Sequence, residues 1–125
     1  MLIDTHIHLD DHRYDEDLNE ILDRAREGGV EYFVIPGADP STLDRAVQIA
    51  ESNEDVFFSV GVHPYDIESF DDLDFESYLV HPKCIAVGEC GLDYFRLEGT
   101  EGEKKLEKQK QKDVFSKQIE IAKKH

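Results

Sequence analysis

The 125-residue sequence is poor in basic residues: 14 Lys and Arg stand against 29 Asp and Glu, a formal net charge of −15. This balance argues against a protein that holds duplex DNA by neutralising many phosphates, and against one that binds an anionic membrane surface. An anionic substrate would need bound cations or a local basic patch. Gly and Pro are also few, at 8 and 4, and 10% of residues are aromatic, which excludes collagen-like, low-complexity and disordered classes.

Cysteine and long apolar runs are scarce as well. Cys84 and Cys90 lie six residues apart on one predicted strand and its exit, which is a poor geometry for a disulfide. We interpret them as reduced thiols. No run of about 18 apolar residues occurs, and the N-terminus lacks the basic and apolar regions of a signal peptide. The sequence therefore predicts a cytoplasmic protein with no membrane partner.

Strand-like and helix-like segments alternate four times along the chain. The helical segments repeat apolar residues three and four positions apart, and the strand-like segments are short apolar runs. Val30 to Ile35 is apolar at most positions, which indicates a strand buried on both faces. The predicted strands are a first one beginning at Leu2, then 30–35, 56–62 and 85–87; the predicted helices are 15–27, one that follows Asp39 and Pro40 to Ala50, 72–79 and 113–124.

This alternation predicts an α/β fold with parallel strands and outer helices joined by crossovers. No glycine-rich phosphate-binding fingerprint follows the first strand, which disfavours a dinucleotide-binding fold. A TIM-type (β/α)8 barrel needs eight such units and about 250 residues, whereas this sequence supplies four. We therefore predict the N-terminal half of a TIM-type barrel, with four βα units in residues 1–125.

Residues 96–112 form a stretch rich in Lys and Glu with a net charge of +2, whereas residues 1–95 carry −18. We interpret the stretch as a solvated loop. The alternative is a basic flap beside a phosphate site, because the stretch follows the fourth strand. The last helix then begins at about Asp113, with Phe115, Ile119 and Ala122 on one face.

A His-x-His pair, His6 and His8, ends the first strand. Residues two apart on a strand point to the same side, so both imidazoles can reach one metal ion. Active sites of barrels gather at the carboxyl ends of the strands. We expect Asp4, inside the strand, to support the two histidines without binding the metal. The alternative is a pair of partly exposed loop histidines.

A carboxylate, Glu89, directly follows the fourth strand. Burying an unpaired carboxylate is costly, and a metal ion would remove that cost. Gly88 and Gly91 on either side allow the backbone to come close to a ligand. A carboxylate can also bridge two ions. The alternative is an ion-paired surface glutamate.

His63 ends the third strand and could ligate a metal, donate to a phosphate oxygen or act as an acid. Asp93 and Tyr94 follow Glu89 on one loop, where they could contact substrate or serve the turn and its packing. The remaining histidines do not lie at apolar strand ends, and we expect none of them to be a ligand: His12, His81 and His125.

Three segments together resemble the first three signature segments of the TatD-type metal-dependent deoxyribonucleases, in the amidohydrolase superfamily. The segments are Asp4–Leu9 (DTHIHL), Gly61–Tyr65 (GVHPY) and Gly88–Tyr94 (GECGLDY). The run from Gln111 to Lys124, with Phe115, Gln118 and Ala122, is similar to the helix that follows them in that family. Cys90 stands where the family usually has an apolar residue.

The resemblance implies a metal-dependent hydrolase of phosphodiester bonds that trims DNA ends and uses one or two divalent ions, such as Zn2+, Mn2+ or Mg2+. His6 and His8 would be its histidine pair and Glu89 its bridging carboxylate. His63 would lie beside the scissile phosphate. The substrate would be DNA or another phosphodiester, attacked by a metal-activated water.

The family's remaining ligands, two histidines and an aspartate on later strands, have no counterpart in this sequence. Either a missing C-terminal half completes the barrel or two half-barrels associate, because four strands alone leave open edges with apolar faces. Two alternatives stay open. One is a related phosphoesterase of the same superfamily, since Asp-x-His-x-His opens those enzymes too. The other is a truncated, non-catalytic half-barrel that binds metal or self-associates.

Overall fold

The computed structural model describes residues 1–125 and contains four strands and four α-helices. The strand order in the sheet is β1-β2-β3-β4, and every neighbouring pair is parallel. This topology confirms the predicted α/β half-barrel. The elements are β1 (Leu2–Asp4), α1 (Leu18–Glu27), β2 (Val30–Ile35), α2 (Leu43–Ser52), β3 (Val56–Val60), α3 (Phe75–Leu79), β4 (Cys84–Val87) and α4 (Glu101–Lys124).

The core lies between the helices and one face of the sheet. Alternate residues of β2 and β3 point to this face and are fully buried against α1 and α2. They form one continuous apolar cluster with the inner faces of those helices. Its fully buried members include Phe33, Ile35, Val56, Phe58, Val60, Leu22 and Ala50.

The prediction that β2 is buried on both faces is wrong. Phe33 and Ile35 are fully buried, but Tyr32, which precedes Phe33, is 42% exposed, and Val34, between the two buried residues, is half-buried. The second face corresponds to the interior of a barrel, which four strands do not enclose. Ile3 of β1 is 48% exposed for the same reason.

The interpretation of residues 96–112 as a loop is also wrong beyond residue 100, because α4 begins at Glu101. The Thr100 hydroxyl accepts the Glu103 N–H, and the Glu103 carboxylate accepts the Thr100 N–H. This capping box starts the helix, and the Lys, Glu and Gln residues that follow are strong helix formers. Charge in this stretch therefore marks the solvated side of a helix.

The buried face of α4 differs from the predicted one. Gln111 and Gln118 are fully buried, whereas Ile119 is 39% exposed and Ala122 is exposed. The predicted apolar stripe borders the unpaired edge of β4, where Ala122 lines an open cavity together with Ile85. It lacks a partner because no further strand covers that edge.

Other element ends shift by a few residues. Helix α1 begins at Leu18 rather than residue 15, because a 3-10 turn capped by Asp11 precedes it at His12–Tyr14. Strand β3 ends at Val60, two residues early, and α3 follows a 3-10 turn at Ile67–Asp72. None of the helices combines the length and the apolar character needed to cross a membrane.

Candidate metal centre

Two histidines and a glutamate converge at the carboxyl edge of the sheet. One potential ligand atom from each of His6, His8 and Glu89 lies within 4.8 Å of the other two. His6 Nε2 is 3.5 Å from Glu89 Oε2. Strands β1 and β4, which lead to these residues, are the opposite edges of the sheet and would be about 14 Å apart if it were flat. The sheet therefore curves as part of a barrel does, and the segments after its edge strands meet.

The chemistry of this donor set suits a divalent ion. Imidazole nitrogen and carboxylate oxygen are common ligands of Zn2+ and related ions. The side chains of His6, His8 and Glu89 make no hydrogen bond to one another, and His6 and Glu89 remain 54% and 30% exposed. Three converging ligands on an accessible edge fit a metal with open positions for water or substrate.

His63 approaches the same glutamate from β3. Its Nδ1 accepts the Tyr65 backbone N–H at 3.1 Å, and its Nε2 lies 3.8 Å from Glu89 Oε1. A ring nitrogen that accepts a hydrogen bond carries no proton, so the neutral His63 ring carries its proton on Nε2. That nitrogen is therefore a donor facing the centre, with no free lone pair for a metal.

Backbone contacts hold Glu89 in place. Its N–H donates to Gly37 O at 3.0 Å, and Gly88 O accepts from the Ser59 hydroxyl at 2.7 Å. The Gly88–Glu89 peptide bond is cis. A Cβ on Gly61 would lie 2.4 Å from Gly88 C, so glycine is required for β3 and β4 to approach this closely at their ends. Ser59 and Gly61 therefore position the backbone at Gly88, the residue before Glu89. The sequence pattern does not reveal this role.

Asp4 supports His6 through the main chain. Its Oδ1 accepts the His6 backbone N–H at 3.1 Å. The carboxylate thus shapes the turn from β1 into the His-x-His segment and leaves the imidazole free.

Asp10 is a further buried carboxylate beside the centre, and the sequence analysis missed it. It is 5% exposed, and its Oδ2 accepts the Thr42 hydroxyl at 2.5 Å. Its other oxygen, Oδ1, has no hydrogen-bond partner and lies 3.9 Å from His8 Nδ1. A buried oxygen of this kind is costly unless it gains a donor, and the nearby His8 ring nitrogen can supply one.

The loop after Glu89 carries Asp93 and Tyr94. The Asp93 carboxylate accepts the Phe95 N–H at 2.9 Å, and the Tyr65 hydroxyl beside it holds the pKa of Asp93 below its ordinary value. Tyr94 is 38% exposed, and Lys108 Nζ lies 5.1 Å from the centre of its ring. Asp93 therefore orders the loop, while Tyr94 is partly exposed and contacts Lys108 of α4.

Two buried glutamines on α4 anchor the backbone on both sides of the centre. Gln111 accepts the Asp93 N–H and donates to Asp93 O, both at 2.9 Å. Gln118 makes the same double contact with Val62, the residue before His63. The sequence resemblance included Gln118 without indicating this contact.

The remaining histidines pair with carboxylates other than Glu89. Each lies within 3.3 Å of a partly exposed acidic side chain: His12 with Asp15, His81 with Glu51 and His125 with Glu76. The two cysteines are unpaired, and burial raises the pKa of both thiols.

Four parallel βα units with this centre at their carboxyl edge define one half of a TIM-type barrel. The family model for TatD related DNase matches residues 3–125. The chain therefore belongs to the TatD-related DNase family, as the three sequence segments predicted.

Individual relatives agree with this assignment. The uncharacterized metal-dependent hydrolase YabD of Bacillus subtilis (strain 168) is 37% identical over 98% of this chain and 47% of its own length. The 3'-5' ssDNA/RNA exonuclease TatD of Musicola paradisiaca (strain Ech703) is 30% identical over 97% of this chain and 45% of its own length. The crystal structure of YJJV, a TatD homolog from Escherichia coli K12, matches with a TM-score of 0.76 and 26% identity, covering 98% of this chain and 47% of that one. The chain thus spans about half the length of the relatives it matches.

Proposed function

We propose that this chain is the N-terminal half of a metal-dependent hydrolase that cleaves phosphodiester bonds and trims the ends of DNA, and that it carries three of the metal ligands. The observation that carries the proposal is the convergence of His6, His8 and Glu89 from opposite edges of the sheet. Relatives named as a metal-dependent hydrolase and as an exonuclease support it. The candidate ions are Zn2+, Mn2+ and Mg2+, since a mixed imidazole and carboxylate set accepts several divalent metals.

Each residue of the centre has a role in this proposal. His6 and His8 would hold an ion through ring nitrogens, and Glu89 would supply a carboxylate ligand to one ion or two. A divalent ion bound there supplies an activated water and neutralises charge on the phosphoryl oxygens. His63 donates its Nε2–H to a phosphoryl oxygen and so stabilises the charge that develops in the transition state. Asp93 and Tyr94 contact the substrate from the adjoining loop.

We place this activity in the cytoplasm. Cys84 and Cys90 are free thiols, which is the usual state of cysteine in a reducing compartment.

Metal titration tests the ligand assignment. Mn2+, Mg2+ and Zn2+ are titrated calorimetrically into the wild type and into a variant with His6, His8 and Glu89 all replaced by Ala. A matched control replaces His81, His125 and Glu98, the same residue types outside the centre. We expect the first variant to lose binding and the control to keep it. Metal binding that survives the loss of all three proposed ligands contradicts the ligand assignment.

A substrate panel tests the reaction. Metal-dependent release of nucleotides from DNA supports the proposal. Turnover restricted to a phosphomonoester or an amide supports instead the related phosphoesterase or hydrolase of the amidohydrolase superfamily.

The open face and edges of the sheet favour a second candidate, a half-barrel without turnover. Ile3, Tyr32 and Ile85 are 48%, 42% and 54% exposed. Large exposed apolar side chains on a sheet face or edge mark an association surface. A C-terminal half or a second copy would cover them. Gel filtration combined with a nuclease assay at matched metal separates the two: an inactive monomer supports this candidate, and DNA trimming by an assembled species supports the enzyme.

A further inference from the structure

Three lysines on α4 have no acidic partner. The helix carries eight lysines, and five of them lie within 4.0 Å of a carboxylate. The three without one are Lys105, Lys108 and Lys112, and all three are exposed. Their spacing of three and four residues places them on one side of the helix. They form a continuous cationic stripe about 10 Å long, at a rise of 1.5 Å per residue.

The stripe contacts the loop that follows Glu89. Lys108 Nζ is 5.1 Å from the ring centre of Tyr94, which lies on the loop after Glu89. The next residue, Phe95, is 90% exposed. The guanidinium carbon of Arg96 is 5.5 Å from the Tyr65 ring, whose centroid is 5.1 Å from that of His63.

Exposed aromatic rings interleaved with unpaired cations are the features that bind a single nucleic-acid strand. Bases stack on the rings, and the cations follow the phosphates. In a duplex the bases are stacked and paired inside the helix, so none of them is free to stack on Phe95. The rest of the chain repels any polyanion, since residues 1–95 carry −18, so the positive segment after residue 95 is where a strand would run.

We propose that Arg96, Lys105, Lys108 and Lys112, together with Tyr94 and Phe95, form a path for single-stranded nucleic acid that runs from the metal centre along α4. The path rests on the proposed function, because it delivers a strand end to that centre. It adds a strand-binding surface outside the metal centre, formed by residues that are not proposed as metal ligands.

Equilibrium binding of a labelled 20-nucleotide single strand tests the path. Fluorescence anisotropy is measured in EDTA at several salt concentrations. The path variant is K105Q/K108Q/K112Q, and the matched control K104Q/K110Q/K123Q removes the same charge from paired lysines. The path variant should bind about tenfold or more weakly, and its slope of log affinity against log salt should fall by about 2, at about 0.7 for each lost phosphate contact. The control should stay close to the wild type.

Phe95 provides a test independent of charge. Phe95→Leu should weaken binding by about fivefold or more, because stacking of one base is lost, whereas Phe95→Trp should retain it. The path is overturned if both triple variants weaken equally, if Phe95→Leu binds as the wild type does, or if duplex DNA binds as tightly as the single strand. Because binding in EDTA needs no metal, strand binding without metal-dependent hydrolysis contradicts only the proposed function. Hydrolysis of a small phosphodiester by a wild type that binds no strand contradicts only the path.

Discussion

Gln118 and Val62 are joined by two hydrogen bonds. The Val62 N–H donates to Gln118 Oε1 at 2.8 Å, and Gln118 Nε2 donates to Val62 O at 3.1 Å. Both residues are buried, so no water can replace the side chain. The side-chain amide of Gln118 thus makes the two hydrogen bonds that a neighbouring strand would otherwise make just beyond β3. These bonds fix the backbone that leads into His63.

Replacing Gln118 with Leu should strongly destabilise the fold. The change leaves a buried N–H and a buried C=O unpaired, at a cost of about 1–3 kcal/mol for each group. We expect a loss of about 2–4 kcal/mol in the free energy of unfolding, measured by urea titration. Gln109→Leu is the matched control, because Gln109 bonds only to Asp113 on the exposed side of α4. Equal losses of unfolding free energy in the two variants would show that the contact between Gln118 and Val62 does not stabilise the fold.

Gly61→Ala should disturb the approach of β3 to β4. The added Cβ would meet Gly88 C at 2.4 Å, a contact that only a backbone shift relieves. We expect a loss of about 1–3 kcal/mol in stability by thermal unfolding, together with weaker metal binding, because Gly88 precedes Glu89. Gly102→Ala, at the open first turn of α4, should instead be neutral or slightly stabilising. A fully stable Gly61→Ala protein is the outcome that contradicts this argument.

The strand order and the meeting of His6 with Glu89 were accessible from sequence for one physical reason. Parallel strands joined by helices bring all their carboxyl ends to one edge, so residues at strand ends become neighbours without any knowledge of side-chain packing. The apolar alternation along β2 and β3 was likewise visible. What periodicity could not show was that Tyr32 faces an unclosed interior, because burial of that face depends on strands beyond the four.

The role of α4 was inaccessible for a different reason. In a run of Lys and Glu, a glutamine has the pattern of a surface residue. Gln111 and Gln118 are buried because Asp93 and Val62 offer backbone groups that no strand pairs, and only the folded chain displays those groups. The same holds for Asp10, whose carboxylate becomes a buried neighbour of His8 through its bond to Thr42.

Stability should depend on pH through the pair of Arg26 and Asp55, which ties α1 to the start of β3. Arg26 Nε and Nη2 donate to the two Asp55 oxygens at 2.7 and 2.8 Å. These bonds lower the pKa of Asp55 below its ordinary value of 3.8. A carboxyl with a lowered folded pKa stabilises the protein above its unfolded pKa, and that contribution is lost as the pH falls through the folded pKa.

The measurement is the free energy of unfolding of the wild type minus that of Asp55→Asn, by urea titration at pH 7, 5 and 3. We expect the difference to be largest at pH 7 and 5 and to shrink by pH 3. Asp23→Asn is the control, since Asp23 also bonds Arg26 but is 69% exposed and should contribute little at any pH. A difference between wild type and Asp55→Asn that stays constant with pH refutes the assignment.

Asp10 should strengthen metal binding without touching the metal. Its Oδ1 lies 3.9 Å from His8 Nδ1 and is buried with no partner, while Thr42 holds the other oxygen. An imidazole that binds a metal through Nε2 gains orientation and basicity when its Nδ1–H donates to a carboxylate. We expect Asp10→Ala to weaken Mn2+ affinity by about 10- to 100-fold in calorimetric titration, and Thr42→Val to have a smaller effect in the same direction. Asp10→Asn, which keeps an acceptor oxygen, should restore part of the loss. Asp11→Ala is the neighbouring control, because Asp11 bonds Arg13 rather than His8. Wild-type metal affinity in Asp10→Ala would show that Asp10 does not contribute to metal binding.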